Sequence, residues 1–324
     1  MTRSLRFTRM AFAASISMIV GCDSSPTSGI DDRADSPTSS PAYLEPEMLA
    51  QVFAPFGIAV DATKVYVSRL ELGPLVAVSV QDGAVAEVGV LASGGALAVD
   101  EQRLYWTDGS SVFACDKSNC TGSTINLAPT GATSMALYAG DVYWSSRDRM
   151  TSSGAGQVMR IDKNGGKAAN LALGNAPHDV AVDADYVYWI EQAAPAFSVV
   201  RTPIAGGPSV QLAVTDPFEP MGIALDGGNV YFMTGDGKVL GVSKSGGPTT
   251  VLLSDIGWFP LGLATDGTNV YVGAEAGLLR VPKSGGPSSC LFPSVQDTAS
   301  AIALDDTSVY IADRGRNAII RVAK

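Results

Sequence analysis

From about residue 55 onward the chain alternates short apolar stretches with polar turns, and one phrase returns seven times: GIAVDATKVYV, ALAVDEQRLYW, SMALYAGDVYW, DVAVDADYVYW, GIALDGGNVYF, GLATDGTNVYV and AIALDDTSVYI. Its tyrosines are Tyr66, Tyr105, Tyr143, Tyr188, Tyr231, Tyr271 and Tyr310, separated by 39, 38, 45, 43, 40 and 39 residues. In each copy an apolar strand ends near an Asp and a turn follows. A second strand then carries Val-Tyr with an aromatic or aliphatic neighbour at a period of two. A third strand is predicted next, as at 157–161 and 277–281, closed by a Gly-rich turn such as Asn164-Gly165-Gly166, Ser245-Gly246-Gly247 or Ser284-Gly285-Gly286. Paired glycines supply the positive φ that tight hairpins require. The fourth strand is brief, as at 250–253.

Four antiparallel strands repeated about every forty residues make a propeller blade. Seven copies therefore predict an all-β, seven-bladed β-propeller with four antiparallel strands per blade. The chain stops at Lys324, after the third strand of the seventh copy. Residues 47–53 precede the first copy as 250–256 precede the sixth, so they are expected to supply the missing strand. Closing the ring with an N-terminal strand removes two open edges that would otherwise invite aggregation.

The first 46 residues follow a different pattern. Arg3, Arg6 and Arg9 lead into an apolar run over 10–20, followed by Gly21 and Cys22. That is the layout of a secretory signal, too short for a stable membrane span. Residues 22–46 are crowded with Ser, Pro, Thr and Asp (PTSGIDDRADSPTSSP over 26–41) and offer almost nothing to bury, which predicts a disordered tether. The expected organisation is thus a signal over 1–21, a tether over 22–46 and a propeller over 47–324.

Removing the signal takes three of the 22 basic residues and none of the 32 acids, so the mature charge is 19 − 32 = −13. An acidic surface without a basic, aromatic-laced patch argues against nucleic acid as a partner. Export makes oxidation plausible, and Cys115 and Cys120, bracketing Asp-Lys-Ser-Asn in an expected hairpin turn, are read as a disulfide. A metal site is the alternative, though no second ligand pair lies nearby in sequence. Cys290 is left as an unpaired, buried small hydrophobe.

The run Ile19-Val20-Gly21-Cys22 resembles the lipobox of bacterial lipoproteins. That resemblance implies acylation of Cys22 and an exported protein held at the cell envelope, periplasmic or at the outer surface, touching the membrane through its lipid alone. The alternative is a signal cleaved elsewhere, with Cys22 an ordinary cysteine. Leu104-Tyr105-Trp106-Thr107-Asp108, with IAVD-type strands before the motif and an Arg on third strands (Arg160, Arg280, Arg321), resembles the YWTD propeller repeats of low-density-lipoprotein receptors over residues 55–324. It implies the fold and a partner-binding role, although those propellers have six blades. Pro177-His178 before a first strand, with Glu191 ending the second, is similar to the NHL-like streptogramin lyases. That similarity implies a metal-assisted lyase site, but Ala176 stands where a further carboxylate would be expected.

Six first strands end in Asp (Asp61, Asp100, Asp183, Asp226, Asp266, Asp305), and Tyr138 takes the seventh place. An acidic mouth that gathers cations is one reading. The other, favoured by the Gly and Asn residues that follow, is that each carboxylate caps backbone amides of its turn. Trp106, Trp144, Trp189 and Phe232 share a position with Val67, Val272 and Ile311, so packing between blades explains them better than ligand stacking. His178 is the only histidine, which excludes a three-His zinc site. No nucleophile motif, phosphate loop or calcium loop accompanies it, and no cofactor is implied.

First strands line a propeller's channel. Phe56, Gly95, Thr133, His178, Met221, Leu261 and Ser300, at their starts, are therefore predicted to ring one mouth. The ends of the second strands add Arg69, Asp108, Ser146, Glu191, Thr234, Ala274 and Asp313, with Glu275 one residue beyond. Residues that build a repeat should be alike from blade to blade, whereas residues that recognise an asymmetric ligand should differ. The varied mouth is thus the expected binding site, unless its variation reflects relaxed constraint. Three functions fit: a monomeric propeller binding or scaffolding a protein partner in the envelope, a sensor of small molecules or glycans, and a lyase or hydrolase built on His178 and Glu191.

Overall fold

The computed structural model describes residues 46–147, 155–193, 196–215, 218–257, 262–274, 277–293 and 299–324. The segments assigned to signal and tether, Cys22 included, lie outside them. Among the described residues the strands form seven four-stranded antiparallel sheets arranged as the blades of a propeller. Blade 1 spans 55–92, blade 2 97–128, blade 3 134–175, blade 4 178–215, blade 5 220–253 and blade 6 262–293. Blade 7 joins 299–323 to 47–51.

Each blade forms because its two middle strands alternate β-branched and aromatic residues on both faces, so both faces must be covered. In Ser308–Asp313 every residue is buried. The cover comes from the neighbouring blade: Tyr105, Val112 and Leu127 of blade 2 pack with Met135, Trp144 and Ile161 of blade 3 in one cluster. Trp106, Trp144, Trp189 and Phe232 all lie in such interblade clusters and are almost fully buried.

The ring closes through the N-terminal strand Glu47–Gln51, which pairs antiparallel with Ala318–Ala323. Leu49, Ala50 and Val52 join Tyr310, Ala312 and Ile319 of blade 7 and the Val65, Val67, Val76 and Val78 face of blade 1. Gly83 sits in the blade 1 turn at φ 71°, and a Cβ there would stand 2.0 Å from the Leu49 carbonyl. Only glycine lets that turn approach the closing strand so closely.

Two expectations need correction. The Cys115–Cys120 disulfide is formed, with a Cα separation of 4.8 Å, but Cys120 begins a helical turn, Cys120–Ser123, instead of lying across a hairpin. Asn119 caps this turn by accepting the Gly122 amide at 3.2 Å, so an Asn at the cap position decided the local geometry. Cys290 is disulfide-bonded and not the unpaired thiol expected. It stands on the outermost strand of blade 6, Ser289–Pro293, which is only half-buried and can be reached from outside the blade.

Candidate functional site

The two mouths of the channel use their polar groups in opposite ways. At the mouth where first strands end, the Asp carboxylates are spent on the fold. In blade 5, Asp226 Oδ1 accepts the Gly228 and Asn229 amides at 2.8 Å each, and Oδ2 accepts the Tyr231 hydroxyl at 2.7 Å. Asp61, Asp100, Asp183, Asp266 and Asp305 repeat the pattern with Tyr66, Tyr105, Tyr188, Tyr271 and Tyr310. The turn-capping reading of these residues therefore describes what they do.

A lysine from the following blade completes most of these clusters. Lys117 reaches Asp61 at 2.7 Å, Lys163 reaches Asp100 at 3.4 Å, Lys244 reaches Asp183 at 2.6 Å and Lys283 reaches Asp226 at 3.1 Å. Lys324 approaches Asp266 at 3.9 Å. Burial by itself would raise these carboxyl pKa values, but the hydrogen bonds outweigh it. The Lys117 ammonium brings Asp61 to about 2, the Tyr231 hydroxyl and turn amides bring Asp226 to about 2, and the turn amides and Tyr271 bring Asp266 to about 2. Burial and the adjacent carboxylate push the tyrosines the other way, to about 12 for Tyr231, Tyr271 and Tyr310. Sequence reasoning missed these lysines. Their signal was present: Lys163, Lys244 and Lys283 each stand two residues before a Gly-Gly turn.

At the other mouth, where first strands begin, a cavity of about 420 Å³ opens. Phe56, Gly95 and Thr133 line it, whereas in blades 4 and 5 the next residues, Asp179 and Gly222, take the lining positions. The pairing register shifts between His178 and Val180 and between Met221 and Ile223, and Asp179 and Gly222 have φ of 46° and 57°. These bulges bring a different residue toward the channel. Leu261 and Glu275 lie outside the described residues, and Ser300 is placed on the first strand of blade 7.

His178 is flanked by carboxylates that sequence reasoning did not pair with it. Its Nε2 lies 3.1 Å from Glu219 Oε1, off the line of a hydrogen bond, and its Nδ1 lies 3.7 Å from Asp179 Oδ2. Glu219 keeps 49% of its exposure and Asp179 38%, whereas His178 keeps 20% and its Nε2 is buried, so the carboxylates face solvent at the rim with the imidazole tucked behind them. Asp179 also accepts the Gly222 amide of blade 5 at 2.9 Å, tying two blades together. Glu191 instead accepts the Asn175 amide at 2.8 Å. The other strand-end residues are largely engaged: Asp108 caps Ser110 and Ser111, Thr234 donates to Asp236, and Asp313 is buried and paired with Arg316. Arg69 is half-buried, with its carbonyl accepting the Gly94 amide, Ser146 pairs with Gln157 in register, and Ala274 is buried. No cluster of three metal-ligating side chains occurs among the described residues.

Ring, channel and blade order together define a seven-bladed β-propeller. No protein-family model matches the chain, and no curated protein matches it. Solved structures similar to it include a chain of a nidogen/laminin complex, 14% identical with a TM-score of 0.52, covering 74% of this chain and 94% of that one. A second is the extracellular domain of the putative one component system BT4673 from B. thetaiotaomicron, 11% identical with a TM-score of 0.64 over 85% of this chain and 39% of that one. A third is PorZ, a bacterial surface component of the type-IX secretion system of Porphyromonas gingivalis, 15% identical with a TM-score of 0.62 over 85% and 37%. At these identities the likeness is one of fold.

Proposed function

We propose that this chain is an exported lipoprotein, acylated at Cys22 and tethered by residues 22–46, whose propeller presents its varied mouth to a protein partner in the cell envelope. The observation that carries the reading is the direction of the closing strand. Glu47 pairs with Arg321 beside the Asp-lined mouth, and Gln51 pairs with Ala318 beside the varied one. The tether therefore joins the propeller at the face whose carboxylates are already engaged, and the His178, Asp179 and Glu219 group stands at the far face. Charged groups at an exposed rim give partner selection and association rate, and the apolar wall behind them gives burial.

Affinity capture from detergent-solubilised envelopes tests it, with wild type compared with Cys22→Ser and with a triple substitution of His178, Met221 and Glu191. A stoichiometric partner kept by Cys22→Ser and lost by the triple variant supports the reading. Capture that survives the triple variant and fails on charge reversal at the Asp-lined mouth overturns it. Mass mapping of Cys22 tests the anchor separately: a lipid there supports it, and an unacylated Cys22 in exported protein overturns it. The cavity of about 420 Å³ favours a second reading, a small-molecule or glycan sensor, because cavities of roughly 300–1,000 Å³ suit small ligands. A lyase built on His178 and Glu191 has less behind it, since Glu191 is committed to the Asn175 amide.

A further inference from the structure

The cavity at the varied mouth is built from rings of corresponding residues, and one blade breaks the pattern. Every first strand sets one residue before the apolar-Ala pair that each copy carries. Blades 1, 5 and 6 place Gly57, Gly222 and Gly262 there, blades 2 and 7 place Ala96 and Ala301, and blade 3 places Ser134, all lining the cavity of about 420 Å³. Blade 4 places Asp179. One step deeper every blade adds an apolar side chain, Ile58, Met135, Ile223, Leu263 and Ile302 among them. Among the described residues, Asp179 is thus the one charged group lining the cavity, and it stands over an apolar floor.

A structural duty accounts for only half of this carboxylate. Its Oδ2 accepts the Gly222 amide at 2.9 Å. In blades 1 and 2 a neutral hydroxyl of the second strand meets the corresponding amide, Ser68 for Gly57 at 2.9 Å and Thr107 for Ala96 at 3.2 Å. Blade 5 carries Met233 at that strand-two position, so Gly222 takes an acceptor from blade 4, a task an amide oxygen could also perform. The negative charge is not needed for it. Asp179 Oδ1 makes no hydrogen bond among the described residues, and the side chain keeps 38% of its exposure. His178 Nδ1 stands 3.7 Å from Oδ2, outside hydrogen-bond distance. Beside the carboxylate, Ser134 Oγ accepts the Val180 amide at 3.1 Å and keeps a second lone pair. Phe56 lines the cavity from blade 1, three blades away, the greatest separation a seven-membered ring allows.

From this we infer that the channel mouth binds a small primary amine with an apolar body, its ammonium donating to Asp179 Oδ1 and Ser134 Oγ and its hydrocarbon lying on the floor toward Phe56. A carboxylate that accepts from an ammonium makes a charge-assisted hydrogen bond, and the apolar wall behind it supplies burial. The same arrangement disfavours other classes of ligand. An anion meets the Asp179 charge, and a sugar gains little from an aliphatic floor. The inference rests on the small-molecule reading of this cavity and adds the chemistry of the ligand to it.

The experiment follows the methyl signals of Ile58, Ile223 and Ile302 in the purified full-length protein during titration with 2-phenylethylammonium, its neutral isostere 2-phenylethanol and the anion 3-phenylpropionate. Saturable shifts at all three isoleucines, with the amine binding at least about tenfold more tightly than the alcohol, support the site. Asp179→Asn should abolish that preference and leave the alcohol's affinity unchanged, because Asn tolerates the φ of 46° at this position and still offers the Gly222 amide an acceptor. Unchanged binding of the alcohol also shows that the variant's cavity is intact. Phe56→Ala should weaken amine and alcohol alike, and unaltered affinity for both overturns the placement of the hydrocarbon. Equal affinity for amine and alcohol in the wild type, tightest binding of 3-phenylpropionate, or an amine preference that survives Asp179→Asn overturns the inference and leaves the cavity a site for small molecules of another class. No saturable shift with any of the three probes overturns the inference and the small-molecule reading together.

Discussion

The two mouths of this propeller are built from the same strands read in opposite directions, and they spend their polar side chains differently. At the Asp-lined mouth each carboxylate serves a turn, a tyrosine and in five seams a lysine, so repetition there is the mark of a joint. At the varied mouth the blades diverge, and His178, Asp179 and Glu219 stand together at an exposed rim beside the cavity. The lesson is that an array of acids can be a structural device, while chemistry free to meet a ligand gathers where the repeat is broken.

The most severe way to break the comparison is to remove the strand that runs between the two faces. Deleting residues 47–51 would expose the edge of Ala318–Ala323 and strip Leu49 and Ala50 from the blade 7 and blade 1 core. One leucine is worth roughly 1.5–3 kcal/mol and each lost hydrogen bond about 1 kcal/mol. The sum approaches the whole stability of a typical domain, about 5–15 kcal/mol. The expected outcome is aggregation or a collapse of the melting temperature, and an unchanged melting curve would contradict the closure argument.

Next in size is a single joint. Asp226→Ala leaves two turn amides, the Tyr231 hydroxyl and the Lys283 ammonium without their acceptor, which should cost about 2–3 kcal/mol in urea unfolding. Asp226→Asn keeps an amide acceptor and should cost less. If both cost nothing, the Asp-lined mouth is not a joint and the cation-gathering reading of it returns.

The same joints set a pH window. Asp61, Asp226 and Asp266 titrate near 2 when folded and near 3.8 otherwise, so their contribution is complete above about pH 4 and is lost as pH falls toward 2. Tyr231, Tyr271 and Tyr310 are raised to about 12. Their contribution is complete below the ordinary tyrosine range near 10 and is lost as pH rises toward 12. Urea midpoints measured across pH should therefore fall on both sides of a broad plateau. A flat profile across both limbs would contradict the joint reading.

Much of this fold was legible because the period of the repeat, the Val-Tyr alternation and the incomplete seventh copy each carry their own physical reason. The capping role of Asp61 and its counterparts was legible for the same cause, since Asp before a turn has a local task. The joining lysines were not, because Lys117 and Asp61 are 56 residues apart and meet only when blades pack. The channel lining of blades 4 and 5 was displaced by one residue, because a bulge at Asp179 or Gly222 leaves no periodic trace. Nor was Glu219 connected with His178, as Glu219 stands in the connection before blade 5 and His178 at the start of blade 4.

The smallest expected effect on stability is the one that separates the mouths most sharply. His178→Ala removes an imidazole whose Nε2 has no aligned hydrogen bond and whose carboxylate neighbours stay solvated. It should change unfolding free energy by no more than about 0.5 kcal/mol, because no hydrogen bond of Nε2 is lost with it. Met221→Ala is expected to follow it at slightly greater cost, since Met221 is half-buried. If the varied mouth binds the envelope partner, the two together should weaken capture at least tenfold while leaving the melting curve near that of wild type, the reverse of Asp226→Ala, which should lower the melting temperature and leave capture intact. Glu219→Gln refines the comparison, because it keeps the shape of the rim and removes one negative charge. With a chain of formal net charge −10, a basic partner surface is the complementary one, so Glu219→Gln should slow association and flatten its salt dependence more than it hastens dissociation. A rate measurement in which only dissociation changes would place Glu219 in a desolvated contact. No change in either rate would leave the rim beside His178 outside the interface and return the varied mouth to relaxed constraint.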